Sequence, residues 1–207
     1  EKVRIDILRR FGYYSTESNG HLSEYVPWYR KRPEDIAKWI DMSSWINGET
    51  GGYLRVCREG RDWFVTEAPK MLAEEPTIYS YDKRSHEHGS WIIEALETGR
   101  VYRGHFNVVN HGCISNLPDD AIVEVPAVVN ARGAHGIHVG PLPKGLAALM
   151  RREVEIQELV VEAGVNGDRN AALQALLLDP HIHSYAQATH LLDDLLKAHA
   201  KYLPQFA

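Results

Sequence analysis

Between Arg10 and Tyr29 the chain gathers two carboxylates (Glu17, Glu24), a histidine (His21), four hydroxyls (Ser15, Thr16, Ser18, Ser23) and several aromatic rings. Gly12 and Gly20 allow the backbone to bend among them. A packed helix or strand tolerates few clustered polar groups, so this composition predicts a ligand-binding loop. The plainer alternative is a surface loop with its tyrosines tucked under it. Eleven histidines add a second chemistry, because His86/His88 and His181/His183 are His-x-His pairs and His135/His138 are three apart. Such spacings put two ligands on one face of a strand or helix, but a zinc site needs a third ligand, and neither HExxH nor a Cys/His quartet occurs. Cys113 lies beside His111, which could lower its pKa, although so close a pair is seldom a catalytic dyad. Carboxylate pairs such as Glu17/Glu24 and Asp119/Asp120 meet the composition of an ordinary glycosidase without showing its geometry.

The elements that must position these groups are mainly helical. Val3, Ile7 and Leu8 predict one face of a helix ending near Phe11–Gly12, and Pro33-Glu34-Asp35 opens a second helix running to about Trp45. Tyr53–Cys57 and Trp63–Val65 read as short strands or as parts of an irregular helix, and periodicity does not decide between them. Ser85 is placed to cap a helix carrying Ile92, Ile93 and Leu96, with His86 and Glu87 at its N-terminal end. Val101–Asn110 and Ala121–Val129 predict antiparallel strands joined by a turn-rich link, with a third short strand near Gly136–Val139. Three helices follow: Lys144 to Ala163, broken by Gly164 and Gly167; Asp168 to about Asp179; and Ser184 to Tyr202, with Leu191, Leu192, Leu195 and Leu196 spaced for packing. The expected fold class is α+β, mainly helical with a small antiparallel sheet, forming one domain over residues 1–207.

Composition narrows the partners. With 207 residues, 44% hydrophobic and 25% charged, the chain reads as a soluble globular domain. Its net charge of −5 does not favour nucleic acid, and no apolar run approaches the roughly 20 residues of a membrane helix. Two cysteines without CxxC spacing suit a reducing cytoplasm. The chain opens in mid-helix without an initiator methionine and carries no GxGxxG or GxxxxGK, so we expect the later part of a longer polypeptide.

Three stretches together resemble the C-terminal part of glycoside hydrolase family 4. They are Phe11-Gly12-Tyr13-Tyr14-x-Thr16-Glu17-Ser18-x-x-His21-x-x-Glu24-Tyr25-x-Pro27-Trp28; Arg84-Ser85-x-Glu87; and Asn116-Leu117-Pro118-Asp119-Asp120-Ala121-x-Val123-Glu124-Val125-Pro126, with Gly140-x-Leu142-Pro143 and Leu177-Leu178-Asp179-Pro180 downstream. Within the family the sequence is most similar to the α-galacturonidase, α-galactosidase and α-glucosidase branch. Arg84–Glu87 with Tyr102–Asn110 leans towards the α-galacturonidases. The resemblance implies the substrate-facing domain of a cytoplasmic, homo-oligomeric enzyme that hydrolyses α-galacturonides or α-galactosides. NAD oxidises C3 of the sugar, a tyrosine removes the C2 proton, and a divalent metal, typically manganese, assists elimination. By motif, Tyr25 is the implied base, while His21, Glu24, Arg84, Glu87, Asn110 and Asn116 are implied substrate contacts. A phenol with a reference pKa near 10 needs positive charge nearby to act as that base. The NAD-binding Rossmann domain and the metal's cysteine and histidine ligands would precede residue 1, so no metal ligand is assigned here and this chain alone is expected to be inactive. Two other readings stand beside this one: a non-catalytic carbohydrate- or partner-binding module, and a histidine-rich metalloenzyme of another class.

Overall fold

A computed structural model of the protein describes residues 1–41, 57–58, 60, 62–73, 84 and 86–207. The expectations at Tyr53–Val56, at Ser85 and for the helix beyond residue 41 lie outside those residues.

The N-terminal unit is built around α1, Lys2–Phe11. Val3 and Ile7, four apart on one face, are buried, whereas Leu8 is exposed. At about 100° per residue, Leu8 lies roughly 140° around the helix from Val3, off the inward face. Gly12 ends the helix at φ 86°, in the left-handed region, and donates its N–H to the Leu8 carbonyl. The stretch expected as a loop then contains a helix, α2, Asn19–Tyr25, and a single 3-10 turn at Pro27–Tyr29. The Ser18 hydroxyl caps α2 by accepting from the His21 N–H. Buried Asn19 reaches back, and its Oδ1 accepts from the Val3 N–H at 2.8 Å, satisfying a donor that the first turn of α1 leaves open. α3, Pro33–Trp39, starts with proline in its first turn and Glu34 and Asp35 near its positive end. Val3, Ile7, Val26, Tyr29 and Ile40 form the core of this unit, with Leu149 packed against them from far along the chain.

Trp63–Val65 is helical: α4 spans Trp63–Thr66 and α5 spans Ala68–Ala73. α6, Gly89–Thr98, has His88 at its N-cap position, where no side chain makes a capping bond. It packs Ala95 and Ile92 on Phe106, Ala127 and Val129 of the sheet. The sheet is antiparallel, in the order β1 (Tyr102–Val109), β2 (Ile122–Asn130), β3 (Gly133–Gly136). Val123, Val125, Ala127 and Val129 alternate inward along β2, the mark of a strand with one covered face. β3 begins three residues before its expected place, because Ala131–Arg132 forms a tight hairpin in which Asn130 Oδ1 accepts from the Arg132 N–H.

α7, Lys144–Asn166, joins the two halves: Leu149 meets the α1 core, while Ala147 and Val154 meet the sheet core of Cys113, Ile114, Leu117, Ala121, Val123 and Val125. It runs straight through Gly164 and stops only at Gly167, φ 68°. A Cβ on Gly167 would collide with the Gln205 carbonyl, so the turn requires glycine. α8, Arg169–Leu178, is capped by Asp168, and α9, Tyr185–His199, by Ser184. Of the four leucines expected to pack on α9 only Leu192 is buried, with Leu191 and Leu195 exposed. The class is the expected one: mainly helical, with a small three-stranded antiparallel sheet.

Candidate functional site

Three of the seven expected site residues share α2. His21 Nδ1 lies 3.1 Å from Glu17 Oε1, and the same Glu17 oxygen accepts from the Ser18 N–H at 2.7 Å. That backbone N–H, followed by the His21 ring, holds the Glu17 carboxyl below its ordinary pKa despite some burial. Glu24 faces Arg30 at 3.5 Å. The Arg30 side chain is almost enclosed and clamps the helix, donating to Ser23 Oγ at 2.6 Å and to the Gly20 carbonyl at 3.3 Å. Tyr25 ends α2 with its ring half exposed. Its carbonyl accepts from Arg152 Nη2 of α7 at 3.2 Å, a tie across 127 residues, and Arg152 also donates to Glu153 at 2.8 Å.

The electrostatics of this group run against spontaneous deprotonation of Tyr25. Burial pushes the phenol above its usual value near 10, and Glu17, Glu24 and Glu153 push it further in the same direction. Within the described residues Tyr25 is therefore an acid in resting form. A cation brought close to its oxygen would reverse that, and the surrounding carboxylates would help to attract one.

Arg84 and Glu87 belong to a second group, at the approach to α6. The Arg84 guanidinium lies over the Trp91 ring, 4.1 Å from its centroid, and pairs with Glu94. Trp91 stacks on Tyr102, whose hydroxyl is 2.6 Å from His88 Nδ1. Glu87 is exposed just before the helix.

Asn110 and Asn116 form a third group, bonded to the backbone of the link between β1 and β2 and of Leu142. Asn110 is fully buried, and its side-chain N–H groups donate to the carbonyls of Ile114, Leu117 and Pro118 at 3.0, 3.3 and 2.8 Å. Its Oδ1 accepts from the Ile114 N–H at 2.7 Å. Asn116 exchanges both bonds with the backbone of Leu142, at 2.8 and 2.9 Å. Both residues hold the link between β1 and β2 in shape, as asparagine does wherever its amide can imitate a backbone unit.

Among the described residues no group of three or more His, Cys, Asp or Glu side chains is arranged to hold a metal ion. One histidine of each pair is engaged elsewhere: His88 Nδ1 is 2.6 Å from the Tyr102 hydroxyl, His138 Nδ1 is 2.7 Å from the Gly112 carbonyl and His181 faces Asp179. No described helix is long and apolar enough to cross a membrane. Sequence reasoning missed Arg30, Arg152 and Glu153. The last two lie on a different helix more than 120 residues away, and no spacing signal links them to Tyr25.

The profile of the family 4 glycosyl hydrolase C-terminal domain matches residues 1–182. The chain is 52% identical over 210 residues to an α-galactosidase of Rhizobium meliloti (strain 1021), covering all of this chain and 43% of that protein. In structure it is similar to lplD from Bacillus subtilis, with a TM-score of 0.74 at 30% identity over 94% of this chain and 42% of that one. It is also similar to a 6-phospho-β-glucosidase of Thermotoga maritima solved with manganese, NAD+ and glucose-6-phosphate, with a TM-score of 0.54 at 28% identity over 69% of this chain and 35% of that one. The chain thus spans less than half the length of these relatives.

Proposed function

Since this chain belongs to the family 4 glycosyl hydrolases as their C-terminal domain, we propose that it is the substrate-facing part of an enzyme that hydrolyses α-galactosides. The observation that carries the reading is end-to-end identity of 52% with an α-galactosidase, across the helix that holds His21, Glu24 and Tyr25. That identity ranks α-galactosides ahead of the α-galacturonides also expected from the sequence.

The described residues form neither a metal ligand set nor a dinucleotide cradle, so NAD and manganese would be held by other parts of the full enzyme. Bound there, they supply oxidation at C3 of the sugar and a Lewis acid beside the C2 and C3 oxygens. This chain supplies the proton traffic and the orientation. Tyr25 takes the C2 proton, made acidic by a neighbouring ketone; the freed electron pair forms a C1–C2 double bond as the bond from C1 to the leaving group breaks with its own pair, and water then adds at C1, a proton returns to C2 and the hydride returns to C3. His21 and Glu24, one turn apart on α2, hydrogen-bond sugar hydroxyls, and Arg84 and Glu87 approach the substrate from the segment before α6. The cation that Tyr25 needs is the one the rest of the enzyme brings. Alone, the chain lacks it and is inactive.

The test is turnover of an α-galactoside by the protein expressed from its full reading frame, with NAD and manganese added or withheld, beside residues 1–207 alone. Hydrolysis only by the full protein with both additions supports the reading. Hydrolysis that ignores NAD and manganese contradicts it, and binding without hydrolysis under every condition favours a carbohydrate-binding module.

A further inference from the structure

A cleft of about 390 Å³ opens on the side of the N-terminal unit lined by Asp6, Arg10, Phe11, Trp28, Tyr29 and Trp39. Its walls are rings. Phe11 and Trp28 stack at 6.2 Å, Trp28 meets Tyr29 at 5.8 Å, and Tyr29 meets Trp39 edge-on at 4.9 Å. Trp28 remains 41% exposed despite these neighbours. One polar pair interrupts the apolar wall. Arg10 Nε and the Tyr29 hydroxyl both donate to Asp6 Oδ2, each at 2.7 Å. Asp6 Oδ1 and the two terminal nitrogens of Arg10 make no bond among the described residues. The Arg10 bond leads in holding Asp6 below its ordinary pKa, and burial with the Asp6 bond pushes Tyr29 up to about 12. The cleft therefore presents aromatic rings beside the Asp6 acceptor and the Arg10 donors.

We propose that this cleft binds a second pyranose ring, the leaving-group sugar of an α-galactoside whose galactosyl ring sits at Tyr25; the assignment rests on the functional reading above. A pyranose has apolar C–H patches that lie on ring faces, and hydroxyls that both donate and accept, which the open Asp6 oxygen and Arg10 nitrogens match. The pair carries no net charge. A phosphate or carboxylate would meet Asp6 as well as Arg10, so the chemistry selects a neutral sugar. Tyr25 does not line the cleft, so the ring it deprotonates lies outside. Trp28 is three residues further along, which limits the separation of their Cα atoms to about 11 Å, within reach of adjacent rings of one oligosaccharide.

The experiment compares two substrates of the full-length enzyme with NAD and manganese: a galactosyl-α-1,6-glucose disaccharide and α-galactosyl fluoride, which has no second ring. Trp28→Ala is expected to lower the ratio of kcat/KM for the disaccharide to that for the fluoride about tenfold, through KM. Asp6→Asn, which keeps the shape and loses the charge, lowers the same ratio less. An unchanged ratio in both variants, whether activity is kept or lost, overturns the proposal. Failure of the unmutated enzyme on both substrates refutes the functional reading and this assignment together.

Discussion

Asn110→Ala isolates the role the structure gives that residue. The substitution removes the Oδ1 acceptor of the Ile114 N–H and the donors to three carbonyls, all at a side chain with no exposure. Two amide hydrogens are shared among three acceptors, so about three bonds are lost. At about 1 kcal/mol each, with a further penalty for the buried Ile114 N–H and carbonyls left without partners, the expected loss is about 3–5 kcal/mol. Against a domain stability of about 5–15 kcal/mol this is a large fraction. Urea unfolding of the full protein, followed by circular dichroism, reads the change as a lower midpoint at unchanged slope. Activity per folded molecule should stay near the original at low temperature if the backbone bonds of buried Asn110 are its whole role. A loss below about 1 kcal/mol would refute the accounting. A stable variant with sharply reduced turnover would restore Asn110 as a substrate residue.

Acid should destabilise the protein in a defined window. Asp6, Glu17 and Glu94 have folded pKa values below their ordinary ones, so their contribution is complete above about pH 4 and is lost as pH falls through the folded values. The melting temperature should drop steadily below about pH 4, and Asp6→Asn should flatten that slope. Glu153→Gln removes one of the charges that raise the Tyr25 phenol, so its pKa should fall, measured by NMR of tyrosine labelled at Cζ in the full protein; no change would show that Glu153 does not contribute. Gly136→Ala would place a Cβ 2.7 Å from Cys113 Sγ, with Val108 and Val125 also in close contact, and should cost about 1–3 kcal/mol in thermal unfolding.

What the sequence could disclose depended on how local the cause was. The caps of α8 and α9 were readable because Asp168 and Ser184 bond to N–H groups two or three residues on. The alternation of Val123, Val125, Ala127 and Val129 likewise announced β2. α2 was not readable. Seven residues are too few to show a helical period, and Asn19 and Gly20 disfavour one; the helix stands because Asn19 docks on α1 and Arg30 clamps it. Gly164 read as a break for the opposite reason. Its cost of about 1 kcal/mol is small within a 23-residue helix anchored in two cores. The motif marked Asn110 and Asn116 as wanted, and only the fold shows which backbone groups they bond. The setting of Tyr25, made by Arg152 and Glu153 from α7, exists only after folding.

The account stands on Tyr25 taking a proton from C2 of the sugar. The most direct measurement incubates the full-length enzyme with an α-galactoside, NAD and manganese in deuterated water and locates deuterium in the released galactose by NMR. Deuterium at C2, abolished together with hydrolysis in Tyr25→Phe, is the predicted result. Galactose released with only hydrogen at C2 would contradict it.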